Sequence, residues 1–226
     1  MVRRAGGPAR VRVVAVVGAI ALLLTVCLSA EAAITDKLVS RTSNGVPADG
    51  DSSVDASTAI SHDGVVVAFD SKAANLPGGD GTTDQVYARN LETGKTKLVS
   101  RKSNGDPAGG PVFGPGISAD GRFVAFFGLG NGLPGANGVV QQAWIADRKT
   151  HRVRLVSKAN NGAPGDSPSN YPSVSADGRY VVFASYSSNL PGGDGVHGVA
   201  DLQLFVVRQH DPPAHLRRAP THAQGG

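Results

Sequence analysis

Along this chain, short runs of alternating apolar residues return at a fixed interval. Phe123-Val124-Ala125-Phe126 follows Ser118-Ala119-Asp120-Gly121-Arg122, and Tyr180-Val181-Val182-Phe183 follows Ser175-Ala176-Asp177-Gly178-Arg179. A more divergent copy, Ser61-His62-Asp63-Gly64, leads into Val65-Val66-Val67-Ala68-Phe69. Asp63, Asp120 and Asp177 are spaced by 57 residues, so the chain is built from internal repeats. Asp-Gly between apolar runs predicts a two-residue hairpin turn with positive φ at its centre. Asp63, Gly64, Asp120, Gly121, Asp177 and Gly178 are therefore assigned structural, turn-forming roles. Val67 and Phe69, Val124 and Phe126, and Val181 and Phe183 fall at period two, which puts each pair on one buried strand face.

Other segments keep the same spacing. Leu38-Val39-Ser40-Arg41, Leu98-Val99-Ser100-Arg101 and Leu155-Val156-Ser157-Lys158 each precede a turn-rich Asn-Gly-x-Pro stretch. Leu76, Leu133 and Leu190 each begin a Leu-Pro-Gly sequence. A final run carries an aromatic at Tyr87, Trp144 and Phe205, a stripe that predicts packing between repeats rather than a ligand box. Every unit thus offers four short apolar runs separated by Gly, Pro, Asn and Asp, and no window beyond the first 32 residues keeps a helical rhythm. The expected fold is all-β, made of β-propeller blades of four antiparallel strands. Three units span about 37–96, 97–153 and 154–208 within a repeat domain at 33–208.

The phrase Ser-Ala-Asp-Gly-Arg-(Phe/Tyr)-Val-(Ala/Val)-Phe, with its Gln-Val-Tyr and Leu-Val-Ser companions, resembles the TolB-like, WD-repeat-like β-propeller proteins of bacteria. The resemblance covers about residues 36–208. It implies a scaffold fold whose role differs from protein to protein. Propellers of this kind typically have six or more blades, so three units predict either a remnant of a longer propeller or completion by oligomerisation. Lys37-Leu38-Val39-Ser40 reads as a fourth strand without a blade of its own, and the third unit lacks a fourth strand. Exchange of Lys37–Arg41 between two chains would form a homodimeric six-bladed ring.

Glycine at 30 and proline at 14 suit short strands and tight turns. The sequence pI of about 9.4 is a nucleic-acid signal only until the charges are located. Arg3, Arg4, Arg10 and Arg12 precede an apolar stretch from Val13 to Val26, and Ala30-Glu31-Ala32 is a small-x-small site. Residues 1–32 therefore read as a signal peptide, cleaved after Ala32, with an uncleaved membrane anchor as the alternative. Without them, 18 basic residues face 17 acidic ones, which gives little reason to bind nucleic acid. The single cysteine, Cys27, lies in this leader, so the exported chain would be without disulfides. Residues 209–226, with His210, His215 and His222, read as a disordered or aberrant tail.

No Gly-x-Ser-x-Gly elbow or other catalytic constellation is present, and no catalytic, cofactor-binding or metal residue is assigned. His62 reads as a turn residue. Asp49, Asp51 and Asp55 alternate, and Asp80 with Asp84 and Asp194 with Asp201 could add oxygen ligands, which leaves calcium as an alternative to turn capping. Arg122 and Arg179 read as solvated edge residues. The expectation is an exported, non-enzymatic scaffold for protein interaction, without a cofactor. The alternatives are a propeller fragment of a larger hydrolase or transporter-associated protein, and an extracellular calcium- or carbohydrate-binding propeller.

Overall fold

The computed structural model describes residues 36–54, 59–192 and 202–209. The leader, Cys27, Asp55, Asp194, Asp201 and the three tail histidines lie outside the described residues. Among the described residues, eleven strands form three antiparallel sheets. The first sheet holds β1 (Ser52–Ser53), β2 (Val66–Ser71), β3 (Gln85–Asn90) and β4 (Thr96–Leu98). The second holds β5 (Val112–Ile117), β6 (Phe123–Gly128), β7 (Gln142–Asp147) and β8 (Arg152–Leu155). The third holds β9 (Ser169–Val174), β10 (Tyr180–Ser185) and β11 (Gln203–Arg208). Each sheet is a meander in sequence order, as four-stranded blades are, and the sheets do not close on themselves.

Register follows the repeat. Phe69 pairs with Tyr87, Phe126 with Trp144 and Phe183 with Phe205. Each pair stacks, with ring centroids 5.6, 6.0 and 5.5 Å apart. This aromatic face of each later sheet covers the other face of the sheet before it. Val66, Ala68, Val86 and Ala88 thus share a core with Phe126 and Trp144, while Ala125, Ala143 and Ile145 share one with Phe183 and Phe205. Period-two patterning is what allows one strand to feed two cores.

Two buried polar sets lock successive sheets together. Ser100 Oγ donates to Gln85 Oε1 at 2.7 Å, and Gln85 Nε2 donates to the Ala108 carbonyl at 3.0 Å. Ser157, Gln142 and Gly165 repeat that set at 2.6 and 2.8 Å. Buried amides and hydroxyls are tolerated because each has a partner.

Two expectations require correction. Residues 37–40 form no strand; Arg41 makes only an isolated bridge with Pro47, since among the described residues no strand edge lies beside the segment. The Asp-Gly turns are also not the two-residue form. Gly64, Gly121 and Gly178 have φ of 71, 68 and 71°, while the aspartates keep negative φ. In each, the serine carbonyl accepts the glycine N–H, a four-residue turn ended by a left-handed glycine. The serine hydroxyl donates to the aspartate at 2.6 Å and accepts the N–H five residues on, which favours this longer closure.

Candidate binding surface at one end of the blades

Strand direction sorts the loops into two sets. The Asp-Gly turns and the hairpins at 91–95 and 148–151 lie at one end of the sheets, and the longer loops at 72–84 and 129–141 lie at the other. Sequence distance hides this sorting, because each end collects segments from every unit.

At the hairpin end, Asn90 Oδ1 accepts the Thr93 N–H at 2.7 Å, and Asp147 Oδ1 accepts the Lys149 N–H at 2.9 Å. His151 stands where the first unit has Gly94, and it keeps the left-handed conformation at φ 60°. That conformation is costly for a residue with a Cβ. Between this hairpin and β4 opens a cleft of about 230 Å³, lined in part by Lys95, Lys97, Arg101, Arg148 and His151. Arg148 donates to the Gly121 carbonyl. Burial lowers the Arg148 pKa, an effect that Asp120 opposes.

A second cleft of about 230 Å³ lies along the next inter-sheet seam, with Arg122, Arg152, Arg154 and Arg179 on its walls beside Asp120, Asp147 and Asp177. Arg122 binds Asp147 through both ends, Nε to Oδ1 at 3.1 Å and Nη2 to Oδ2 at 2.8 Å. Its guanidinium also sits over the Phe123 ring, 4.6 Å from the centroid. Asp147 is shaped by opposing influences. Burial, the largest, raises its pKa; the Arg122 hydrogen bond and those from Lys149 and Thr150 outweigh it and hold the carboxyl at about 2. Arg122 is therefore not the solvated edge residue expected of it. Its partner lies 25 residues on and is reached only through strand pairing. Arg179 is exposed, with Asp177 at 2.8 Å.

The carboxylates considered for calcium are placed separately. Asp80 Oδ1 accepts the N–H groups of Thr82 and Thr83 at 2.8 and 2.7 Å, and bonds from Thr83 and Thr82 hold its pKa well below the usual range. Asp49 accepts the Asn75 N–H at 3.2 Å, and Asp84 lies 3.8 Å from Lys72 Nζ. Among the described residues, no group of three or more His, Cys, Asp or Glu is placed to hold a metal. His62 sits in its turn, its N–H donating to the Ala119 carbonyl at 2.9 Å. Asp63 and Asp177 each have a lowered pKa, first through the hydroxyl of Ser61 or Ser175 and then through the N–H of Val65 or Arg179. Tyr87 and Trp144 are fully buried, and Phe205 is buried with them in the sheet interiors. No described helix is long and apolar enough to cross a membrane.

No family model matches the chain, and no curated protein matches it. Among solved structures it is similar to TolB from Acinetobacter baumannii, at 16% identity over 70% of this chain and 29% of that one, with a TM-score of 0.39. The β-propeller domain of the Trilobed protease from Pyrococcus furiosus aligns at 18% identity over 61% of this chain and 34% of its own, with a TM-score of 0.39. An acylaminoacyl peptidase from Pyrococcus horikoshii aligns at 20% identity over 60% and 17%, with a TM-score of 0.37. The chain spans less than half the length of each of these structures. The TolB-like β-propeller is what this chain is similar to.

Proposed function

We propose that this chain is an exported, non-enzymatic scaffold that holds a protein partner at the hairpin end of its blades. The observation that carries this reading is the charge of that end. Lys95, Lys97 and Arg148 line one cleft there together with Asp147, and Arg152 and Arg154 stand along the next beside Asp120 and Asp177. A cleft with an excess of one sign of charge attracts the opposite sign, and here Lys and Arg outnumber Asp on both linings. The partner is therefore an acidic, extended segment. Among the described residues the lining of these clefts pairs no nucleophile with a base, which favours binding over turnover. A basic leader followed by an apolar run supports export.

The test is fluorescence anisotropy with a labelled polyglutamate peptide, with polylysine as control. Binding of polyglutamate alone is expected, weakening as salt rises and lost in Lys95→Glu/Lys97→Glu. Equal binding of both peptides, or an unchanged affinity in the double variant, would sink the proposal. Export is checked by fractionating cells that express the full chain; recovery from the cytoplasm alone would refute that part.

A further inference from the structure

The outer edge of β11 carries no strand among the described residues. In the other two sheets that edge holds a fourth strand, with the same contacts each time. Tyr87 pairs with Leu98, and Trp144 with Leu155. Two residues on, Ser100 Oγ accepts the Val86 N–H at 3.0 Å, and Ser157 Oγ accepts the Ala143 N–H at 3.0 Å. The leucine rests on a glycine of the Leu-Pro-Gly loop: a Cβ on Gly78 would meet Leu98 at 3.1 Å, and one on Gly135 would meet Leu155 at 2.6 Å. Gly192, next in the series, would meet nothing within 4 Å. Beside it lies a cleft of about 340 Å³, walled by Phe183, Leu190, Phe205 and Val207. A leucine-bearing strand fits there.

The first sheet presents the opposite situation. Leu38-Val39-Ser40-Arg41 repeats the sequence of the two fourth-strand segments and folds beyond them in the same way, since the bridges Arg41 to Pro47, Arg101 to Pro107 and Lys158 to Pro164 are equivalent. Val39 packs against Phe69, Leu76 and Tyr87, as Val156 packs with Phe183 and Leu190. Arg89 and Thr96 hold the Arg41 carbonyl, so the segment is anchored. Yet Leu38 is 52% exposed.

The flat faces tell the same story. Leu204 and Val206 are 77% and 67% exposed, whereas Ala143 and Ile145, one repeat earlier, are buried beneath the next sheet. On the first sheet an apolar cleft of about 330 Å³ opens beside Leu38, Val67 and Phe69. The turns also form a ladder between sheets, His62 N–H to Ala119 carbonyl at 2.9 Å and Ala119 N–H to Ala176 carbonyl at 3.0 Å. Its two ends are the Ala176 N–H and the His62 carbonyl.

We infer that a second copy of this chain covers both open ends. Leu38–Arg41 of each copy adds to β11 of the other, with Leu38 beside Phe205 over Gly192, and Ser40 Oγ receiving the Leu204 N–H and donating to Gln203. The Leu204 and Val206 face then lies on the Phe69 face of the other copy, and Ala176 donates to His62. One donor strand and one acceptor edge per chain make two copies self-sufficient, with two-fold symmetry and a fourth strand on every sheet. A second copy is the occupant because the strand that the slot requires, Leu-Val-Ser-Arg, is carried by this chain itself with its leucine exposed.

Light scattering of the full chain at micromolar concentration is expected to give twice the mass of one chain. Leu38→Asp and, independently, Leu204→Lys should each weaken the pair by roughly a hundredfold or more, because both copies of the contact are lost together. Both residues are exposed within a single chain, so the far-ultraviolet circular dichroism of these variants should be unchanged. In a Cys27→Ser background, Leu38→Cys with Phe205→Cys should oxidise to a covalently linked pair. A wild-type mass of one chain would overturn the inference, as would a pair that neither substitution weakens and that the two cysteines do not link.

Discussion

Arg122 at the entrance to β6 and Asp147 at the end of β7 clasp each other through two parallel hydrogen bonds, of 3.1 and 2.8 Å. The repeat sets the corresponding pairs as Val65 with Asn90 in the first sheet and Arg179 with Arg208 in the third. Only the middle sheet can make the clasp. In the third, two like charges face each other, and Arg179 turns to Asp177 instead.

Arg122→Ala is therefore expected to lower stability by about 1–2 kcal/mol, since it removes a bidentate pair and leaves a buried carboxylate. Arg179→Ala, at an exposed pair, should cost less than about 0.5 kcal/mol. Chemical denaturation of the two variants side by side checks the contrast.

Asp147 also sets an acid limit. Its folded pKa of about 2 lies below the ordinary 3.8, so its stabilising contribution is present above pH 3.8 and fades as pH falls towards 2. Screening keeps this to about 1 kcal/mol. Tyr87 acts at the alkaline end. Burial, aided by Asp80, pushes its pKa up to about 12, so stability should fall as pH rises from 10 towards 12, where only the unfolded chain ionises. Tyr87→Phe should flatten the alkaline fall, and Arg122→Ala the acid one, in melting temperature against pH.

Gly64 and Gly178 share a φ of 71° but not their surroundings. A Cβ on Gly178 would reach within 2.2 Å of Phe123, whereas one on Gly64 would meet nothing within 4 Å of its own chain. In the single-chain form left by Leu38→Asp, Gly64→Ala should cost the left-handed penalty alone, about 1 kcal/mol. Gly178→Ala should cost roughly 2 kcal/mol or more, because Phe123 must move. Equal losses in melting temperature would refute this reading of the inter-sheet seam.

Chelation provides another check. Asp80 and Asp49 already accept backbone N–H groups, so excess EDTA and added calcium should leave the melting temperature unchanged. A rise with calcium would place a metal among these loops.

Much of the fold is legible in the chain because its determinants are local. Alternation in Phe123 to Phe126 names a strand and its two faces, Ser-x-Asp-Gly names a turn, and a 57-residue period names the unit. Even so, the turn type was misread. Asp-Gly is compatible with two closures, and the serine hydroxyl bonding five residues on selects the longer one. Lys37–Ser40 shares the sequence of the Leu98 and Leu155 segments, but no strand lies beside it among the described residues of a single chain.

Residue type and short spacing are enough to specify an all-β chain of repeated antiparallel units, the aromatic stripe at Tyr87, Trp144 and Phe205, and the turn glycines. Strand pairing and sheet stacking are needed before Arg122 meets Asp147, before Lys95, Lys97 and Arg148 come to line one cleft, and before Gly192 is seen to lack the leucine that covers Gly135. Those facts depend on which strands pair and which faces stack. Both are settled by contacts between residues far apart in the chain, and no local pattern encodes them.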